Sequence, residues 1–382
     1  MPDWTTDNAG ASRRVLVTKD LPGERWREIL RSTDCEIRVS SSRSLLSTAE
    51  ILAEIGDRCD GAIGQLTERW GDELFSALAR AGGKVYSNYA VGYDNVDVPA
   101  ATRHGIVVGN TPGVLTETTA ELAVALTFAA ARRIPESEAY LRAGRFEGWL
   151  PDLFLGKKLS GGTLGIVGAG RIGGAYAKML APGLGMDVLY WSRSRNEELE
   201  RELLALAAAF VPAGARKPAC ERVADLDELL AAADVVSLHV PLDRTTRHLL
   251  NAERLARMKP DAVLVNTSRG AVIDERALVE HLRRTPDFRV GLDVFENEPA
   301  LAPGLAELPN AVVVPHIGSA TTWTRSGMAT LAAANVAGVL RGDPLVDTLR
   351  VEDFLAGEPR RAVPSLINLE ALVNPEALGG SS

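Results

Sequence analysis

A chain of 382 residues with 46% hydrophobic content is an ordinary globular protein, long enough for two or three domains and a large core. Its net charge of −8 and pI near 5.4 argue against a nucleic-acid or membrane-surface protein, either of which would carry a basic face. Cys35, Cys59 and Cys220 are far apart and odd in number, with no Cys-x-x-Cys pair, so they read as reduced thiols and not as a disulfide or zinc framework; no metal is expected.

Residues 1–12 are polar and lack the apolar core of a signal peptide, and no run reaches transmembrane length. The C-terminal Leu-Gly-Gly-Ser-Ser382 is not the tripeptide that addresses peroxisomes. A cytoplasmic location is expected. A βα alternation then begins, with strands predicted at residues 14–18, 35–39, 61–65 and 84–87 and helices at 26–32, 47–55 and 67–81. That makes one parallel-sheet domain. A long helix follows over 116–132, apolar at Leu122, Ala125, Leu126 and Ala129, and then a Gly/Trp-containing connection over 144–156.

An apolar strand beginning at Thr163 runs directly into Gly168-Ala-Gly170-Arg171-Ile172-Gly173 and then into a helical run. A lone GxGxxG is a weak signal, but strand, glycines and helix together are the context of a dinucleotide-binding turn. The first glycine allows the turn, the second lets backbone approach a pyrophosphate, and the third permits close helix–strand packing, with the phosphate facing the helix N-terminus. A glycine-rich connection that binds nothing is the alternative. The next strand ends near Trp191. An NAD site would place Asp or Glu there for the ribose hydroxyls, but Ser192-Arg193-Ser194-Arg195 stands instead. Two guanidiniums and two hydroxyls suit a 2′-phosphate, so NADP(H) is expected over NAD(H), against the alternative of a solvated basic loop.

Further strands are predicted at Val188 and at 235–238, 262–266, 289–294 and 311–314, most of them continuous Val/Leu/Ile runs of the kind covered on both faces. Residues 197–223, a charged, alanine-rich helix and a Pro/Gly loop, carry no function the sequence assigns. The helix over 321–340 is inferred to return the chain to the first domain, which makes that domain discontinuous and puts the expected site in the cleft between the two. Reducing a keto acid by hydride transfer needs a cation for the carboxylate, an acid near the carbonyl oxygen, and a group that keeps the acid protonated. Arg269, Glu298 and His316 stand at three successive strand ends, where ligands of open α/β sheets bind. Arg269 as a helix cap or surface ion-pair partner is the lesser reading. Of Glu296 and Glu298, one is expected to be solvated. Among five histidines, His104 reads as a turn residue and His248 and His281 as members of polar helices. His239, with Val240 and Pro241, reads as shaping the cofactor pocket, and His316 is the better acid. A carboxylate beside an imidazole favours the charged form, which keeps it a donor near neutrality.

The combination of Gly168-Ala-Gly-Arg-Ile-Gly173, Asn266-Thr-Ser-Arg-Gly270, Gly291-Leu-Asp-Val-Phe-Glu-Asn-Glu-Pro299 and Pro315-His-Ile-Gly-Ser319 resembles the D-isomer-specific 2-hydroxyacid dehydrogenases over nearly the whole chain. Within that family, the stretches beginning at Gly61, Ser87, Gly109 and Glu147 resemble hydroxypyruvate reductases of the plant peroxisomal type and the related glyoxylate reductases. The resemblance implies that Arg269 binds the substrate carboxylate, that His316 protonates the carbonyl oxygen, and that Glu298 pairs with His316. It implies that the N–H groups of Val91 and Gly92 take the other carboxylate oxygen, that Thr267, Asp293 and Gly318 lie along the cofactor, and that Trp149 reaches the partner subunit's site in a homodimer. Plant enzymes of this type carry Asp where Ser192 stands and end in a peroxisomal tripeptide, so neither NADH preference nor peroxisomal location is carried over.

The expected architecture is α/β, with two doubly wound parallel-sheet domains. A discontinuous flavodoxin-like substrate domain takes 1–115 and 320–382, and a Rossmann dinucleotide-binding domain takes 116–319, including a dimerisation segment at 116–156. The expected activity is NAD(P)H-dependent reduction of hydroxypyruvate to D-glycerate and of glyoxylate to glycolate. The alternatives are another D-2-hydroxyacid dehydrogenase and a non-catalytic NAD(P)-sensing corepressor on the same scaffold. A phosphoglycerate enzyme would want added cations in the substrate domain, and residues 87–97 have none.

Overall fold

The computed structural model describes residues 3–210 and 217–373. The first two residues, the Pro/Gly loop of the unassigned stretch and the C-terminal tripeptide position lie outside the described residues. The chain forms two compact units, Met1–Leu115 with Ala320–Ser382, and Thr116–Ser319.

In the first unit the strands are β1 (Trp4–Asp7), β2 (Arg13–Val17), β3 (Cys35–Ser40), β4 (Gly61–Gly64), β5 (Val85–Asn88) and β6 (Val107–Gly109). Their spatial order is β1-β3-β2-β4-β5-β6. All pairings are parallel except that of β1 with β3. Without β1 the order is that of a flavodoxin-like sheet. The helix Thr48–Ile55 starts where a capping box predicts, Ser47 accepting from the Glu50 N–H and Glu50 from the Ser47 N–H. The helix predicted over 67–81 begins only at Asp72, because Trp70 is drawn into a bridge with Val96. The helix Thr322–Arg341 carries thirteen buried residues and packs in this unit on β4 and β5.

In the second unit follow β7 (Thr163–Val167), β8 (Asp187–Trp191), β9 (Cys220–Arg222), β10 (Val235–Leu238), β11 (Val263–Asn266), β12 (Arg289–Leu292) and β13 (Ala311–Val313), in the order β13-β12-β11-β10-β7-β8-β9. This is the Rossmann order with a seventh strand added. β10, β11 and β12 are buried at every position, as parallel strands covered on both faces must be. Asn266 registers with Leu292 and Leu292 with Val313, so three successive strands end level.

The helix Thr116–Ala131 corrects one expectation. It opens the segment expected to form the dimer contact, but on its apolar stripe Leu126 is buried within its own unit against Gly291 of β12, where an added Cβ would lie 2.8 Å from the Leu126 Cβ, and Leu122 packs half-buried on the same core. The exposed large apolar residues of this segment are Phe128, then Ile134 and Leu141 on a second helix at Ile134–Arg142, and Phe146, Trp149, Leu150 and Leu155 beyond it.

Candidate active site

At the end of β7 the chain turns at Gly168, whose φ of +99° favours glycine. A Cβ there would stand 2.7 Å from the His239 carbonyl oxygen, and one at Gly173 would stand 2.3 Å from the Gly168 carbonyl oxygen. At Gly170, the N-cap of the helix Arg171–Leu184, a Cβ would meet nothing within 4 Å. Backbone crowding fixes the two outer glycines, while the middle one borders open space over a helix N-terminus, where a phosphate is favoured. Arg171 is exposed and Ile172 half-buried at the first turn. Val240 packs on Gly168, and the Pro241 carbonyl accepts from Thr246 Oγ1 at 2.6 Å. Beneath the turn, Thr127 Oγ1 and Tyr176 OH are 2.7 Å apart and Ser237 Oγ and His239 Nε2 2.9 Å. Burial pushes the His239 pKa down to about 3, so its imidazole is neutral.

The basic turn after β8 is less available than the sequence implies. Arg195 grips Glu200 through three contacts of 2.7 to 3.1 Å, and Glu200 also accepts from Tyr190 OH. This corrects the expectation that both guanidiniums are available to a 2′-phosphate. Arg193 is exposed, and its guanidinium has no partner among the described residues. Ser192 Oγ donates to the Ser194 carbonyl. Two neighbours went unseen in the sequence. Arg222, ending β9, donates to the Ser192 carbonyl at 2.9 Å and the Arg193 carbonyl at 3.3 Å. Asn196 donates to the Ala169 carbonyl at 2.9 Å and accepts from the Leu199 N–H at 3.0 Å. The position of Asn196 just before a Glu-rich helical run was a legible capping signal; Arg222 needed the register of β9.

The three adjacent strand ends bring the predicted groups together. Beyond β11, buried Asn266 accepts from the Ser268 N–H and Oγ at 3.0 and 2.8 Å and donates to the Arg269 carbonyl at 2.9 Å, which fixes the turn that presents Arg269. Glu298 accepts from the Phe295 N–H at 2.9 Å through Oε1 and meets His316 Nδ1 at 2.9 Å through Oε2. Burial pushes the Glu298 carboxyl up, but the hydrogen bond and charge of His316, the Phe295 N–H and the nearby Arg269 outweigh it and hold the carboxyl below its usual range. Asp293 accepts from the Gly318 N–H at 2.8 Å and from the Ile317 N–H, holding the turn past His316, whose φ is +53°. Burial raises the Asp293 carboxyl. Thr267 Oγ1 is buried without a partner, a polar atom left for a ligand. The open Gly170 cradle and this hydroxyl fit a nicotinamide dinucleotide.

Glu296 is not the solvated member of its pair. It meets His248 Nε2 at 2.6 Å and Arg247 at 3.4 Å, and His248 sits in a turn with φ +50° rather than in a helix. In the first unit Val91 and Gly92 follow β5. Their carbonyls accept from Asn110 and Asn88 at 2.9 Å, and their N–H groups donate to no described group. Trp149 is 81% exposed.

A Rossmann sheet with an arginine and a His–Glu pair at adjacent strand ends defines an oxidoreductase of hydroxy and keto acids. Residues 124–318 match the model of the D-isomer specific 2-hydroxyacid dehydrogenase, NAD binding domain. The chain is 54% identical to glycerate dehydrogenase of Cucumis sativus, covering 96% of this chain and 97% of that one. It is 53% identical to a peroxisomal glycerate dehydrogenase of Arabidopsis thaliana, covering 96% of each. A solved NADPH-dependent glyoxylate/hydroxypyruvate reductase of Sinorhizobium meliloti superposes with a TM-score of 0.67 at 31% identity, over 85% of this chain and 93% of that one. The chain belongs to the D-isomer-specific 2-hydroxyacid dehydrogenase family and is an enzyme with an NAD-binding domain. Among the described residues no helix is long and apolar enough to cross a membrane.

Proposed function

We propose that the protein reduces hydroxypyruvate to D-glycerate and, more weakly, glyoxylate to glycolate. The observation that carries this reading is the His316–Glu298 pair at 2.9 Å on strand ends adjacent to Arg269. The names of the relatives support the substrate class. A bound nicotinamide supplies the hydride. Arg269 neutralises and orients the substrate carboxylate, and the Val91 and Gly92 N–H groups are assigned to its other oxygen. His316, with Nδ1 engaged by Glu298, gives its Nε2 proton to the carbonyl oxygen, and Glu298 stabilises the imidazolium. Oxidation of NADPH or NADH by the purified protein with hydroxypyruvate tests the reading; no turnover with either would leave a cofactor-sensing protein.

NADPH is the assigned coenzyme, on the absence of a carboxylate at Ser192 and the unpaired Arg193. One charge-assisted bond to a 2′-phosphate is worth about 1.5–3 kcal/mol, reduced by solvent at an exposed turn. A ten-fold preference in kcat/KM needs about 1.4 kcal/mol, so even a weakened contact suffices. Ser192→Asp with Arg193→Ala is expected to reverse the preference. Equal or better kcat/KM with NADH in the wild type would make the basic turn solvated surface only.

The protein is assigned as a homodimer joined through 116–156. Ile134, Leu141, Phe146, Trp149, Leu150 and Leu155 are each at least 50% exposed, a concentration of apolar surface in one segment that a monomer rarely tolerates. An isologous contact covers it on both copies at once. Light scattering is expected to give about twice 40.8 kDa at micromolar concentration; the monomer mass would refute the assignment. Three buried free thiols suit a reducing compartment such as the cytoplasm.

A further inference from the structure

We propose that Glu275 is a positioning residue for this reaction, fixing the Phe295–Glu296 peptide and, through it, the carboxylate of Glu298. The inference rests on the assignment of Glu298 and His316 above. Glu275 opens the helix Glu275–Arg284, capped by Asp274, and is 3% exposed. A carboxylate there loses its hydration and needs compensating donors. It finds two, both backbone: the Glu296 N–H at 2.8 Å on Oε1 and the Ala302 N–H at 3.2 Å on Oε2. These stand at the two ends of the loop that carries Glu298, so one side chain clamps both. Burial, and the like charges of Glu296 and Glu298, push the Glu275 carboxyl up against the pull of those N–H groups.

The clamped peptide adjoins the one that sets Glu298, since Phe295 contributes its carbonyl to the first and its N–H to the second. The Phe295 N–H donates to Glu298 Oε1, and the Phe295 carbonyl and Glu296 nitrogen press on Gly270, the residue after Arg269. The peptide is therefore held by Gly270 on one face and by Glu275 at its N–H. Glutamine at position 275 would turn an NH2 group toward one of the two N–H donors, a donor–donor clash that opens one end of the clamp.

The full chain and its Glu275→Gln, Glu298→Gln and doubly substituted variants are compared for hydroxypyruvate reduction with whichever of NADPH and NADH turns over faster. Coenzyme Kd is measured by fluorescence. Glu275→Gln is expected to lower kcat about 10-fold, since displacement of a catalytic group by less than 1 Å has effects of this order. KM and coenzyme Kd are expected to stay within about two-fold, because neither contact touches a ligand. The double variant is expected to be no slower than Glu298→Gln alone, as non-additivity requires when one residue acts through the other. If circular dichroism finds Glu275→Gln unfolded, Glu275→Asp, which keeps the charge with a shorter reach, is expected to lower kcat with the same non-additivity. Unchanged kcat, multiplicative effects in the double variant, or KM and Kd worsening in step with kcat would overturn the positioning role while Glu298→Gln remained impaired. Wild-type turnover of Glu298→Gln would instead overturn the underlying assignment and this role with it.

Discussion

His316→Ala is expected to lower kcat for hydroxypyruvate reduction by at least about 100-fold, the effect of losing a general acid. That is about 2.7 kcal/mol of transition-state stabilisation, with KM changed far less because Arg269, the proposed carboxylate ligand, is left in place. The geometry limits what can substitute. Nδ1 is taken by Glu298, so the ring presents one nitrogen, and the other carboxyls at these strand ends are engaged. Asp293 spends its carboxylate on the Ile317 and Gly318 N–H groups, and Glu298 is held below its usual carboxyl range and so stays ionised near neutrality. The sign of that shift also sets a pH window. A carboxyl depressed in the folded state contributes stability above its unfolded pKa and loses it as pH falls through the lower folded value, so the His316–Glu298 pair persists at neutral pH and opens only in acid. Turnover of a folded His316→Ala protein within a few-fold of wild type would sink the assignment.

Local grammar made much of this site legible. The dinucleotide turn is written in glycines whose spacing follows from backbone contact, Gly168 against His239 and Gly173 against Gly168. Arg269, Glu298 and His316 could be placed at strand ends because β11, β12 and β13 are short, largely apolar runs whose ends the sequence marks. What escaped depended on partners distant in sequence. β1 is four half-polar residues paired antiparallel on an edge, and β9 is three residues, Cys220–Arg222; neither has a periodicity to read. Arg195 has the right chemistry for phosphate, yet Glu200, one helical turn on, takes it. Glu275 looked like any acidic residue opening a helix. Its burial and its two backbone donors come from a loop more than twenty positions later, which no window around Glu275 contains.

Gly270→Ala is expected to damage stability and catalysis together. A Cβ at Gly270 would lie 1.8 Å from the Phe295 carbonyl carbon, 2.1 Å from its oxygen and 2.3 Å from the Glu296 nitrogen. All three are backbone atoms, so no side chain can rotate aside. Either the 295–298 loop lifts away or the turn bearing Arg269 does. Overpacking of this kind costs about 1–3 kcal/mol and occasionally more, and in a domain of this size each kcal/mol lowers Tm by about 2–4 °C. The expected result is a Tm drop of at least about 4 °C and a loss of kcat of about 100-fold, since Arg269 and Glu298, proposed to bind the substrate carboxylate and to pair with the general acid, are displaced at once. Gly170→Ala is the contrasting case. Nothing lies within 4 Å of its Cβ position, so Tm in the absence of coenzyme is expected to match wild type while coenzyme Kd rises, the methyl group filling space reserved for the pyrophosphate. A Gly270→Ala protein with wild-type Tm and kcat would mean that the Arg269 turn and the Glu298 loop do not touch, and the physical link between the two halves of the site would be lost.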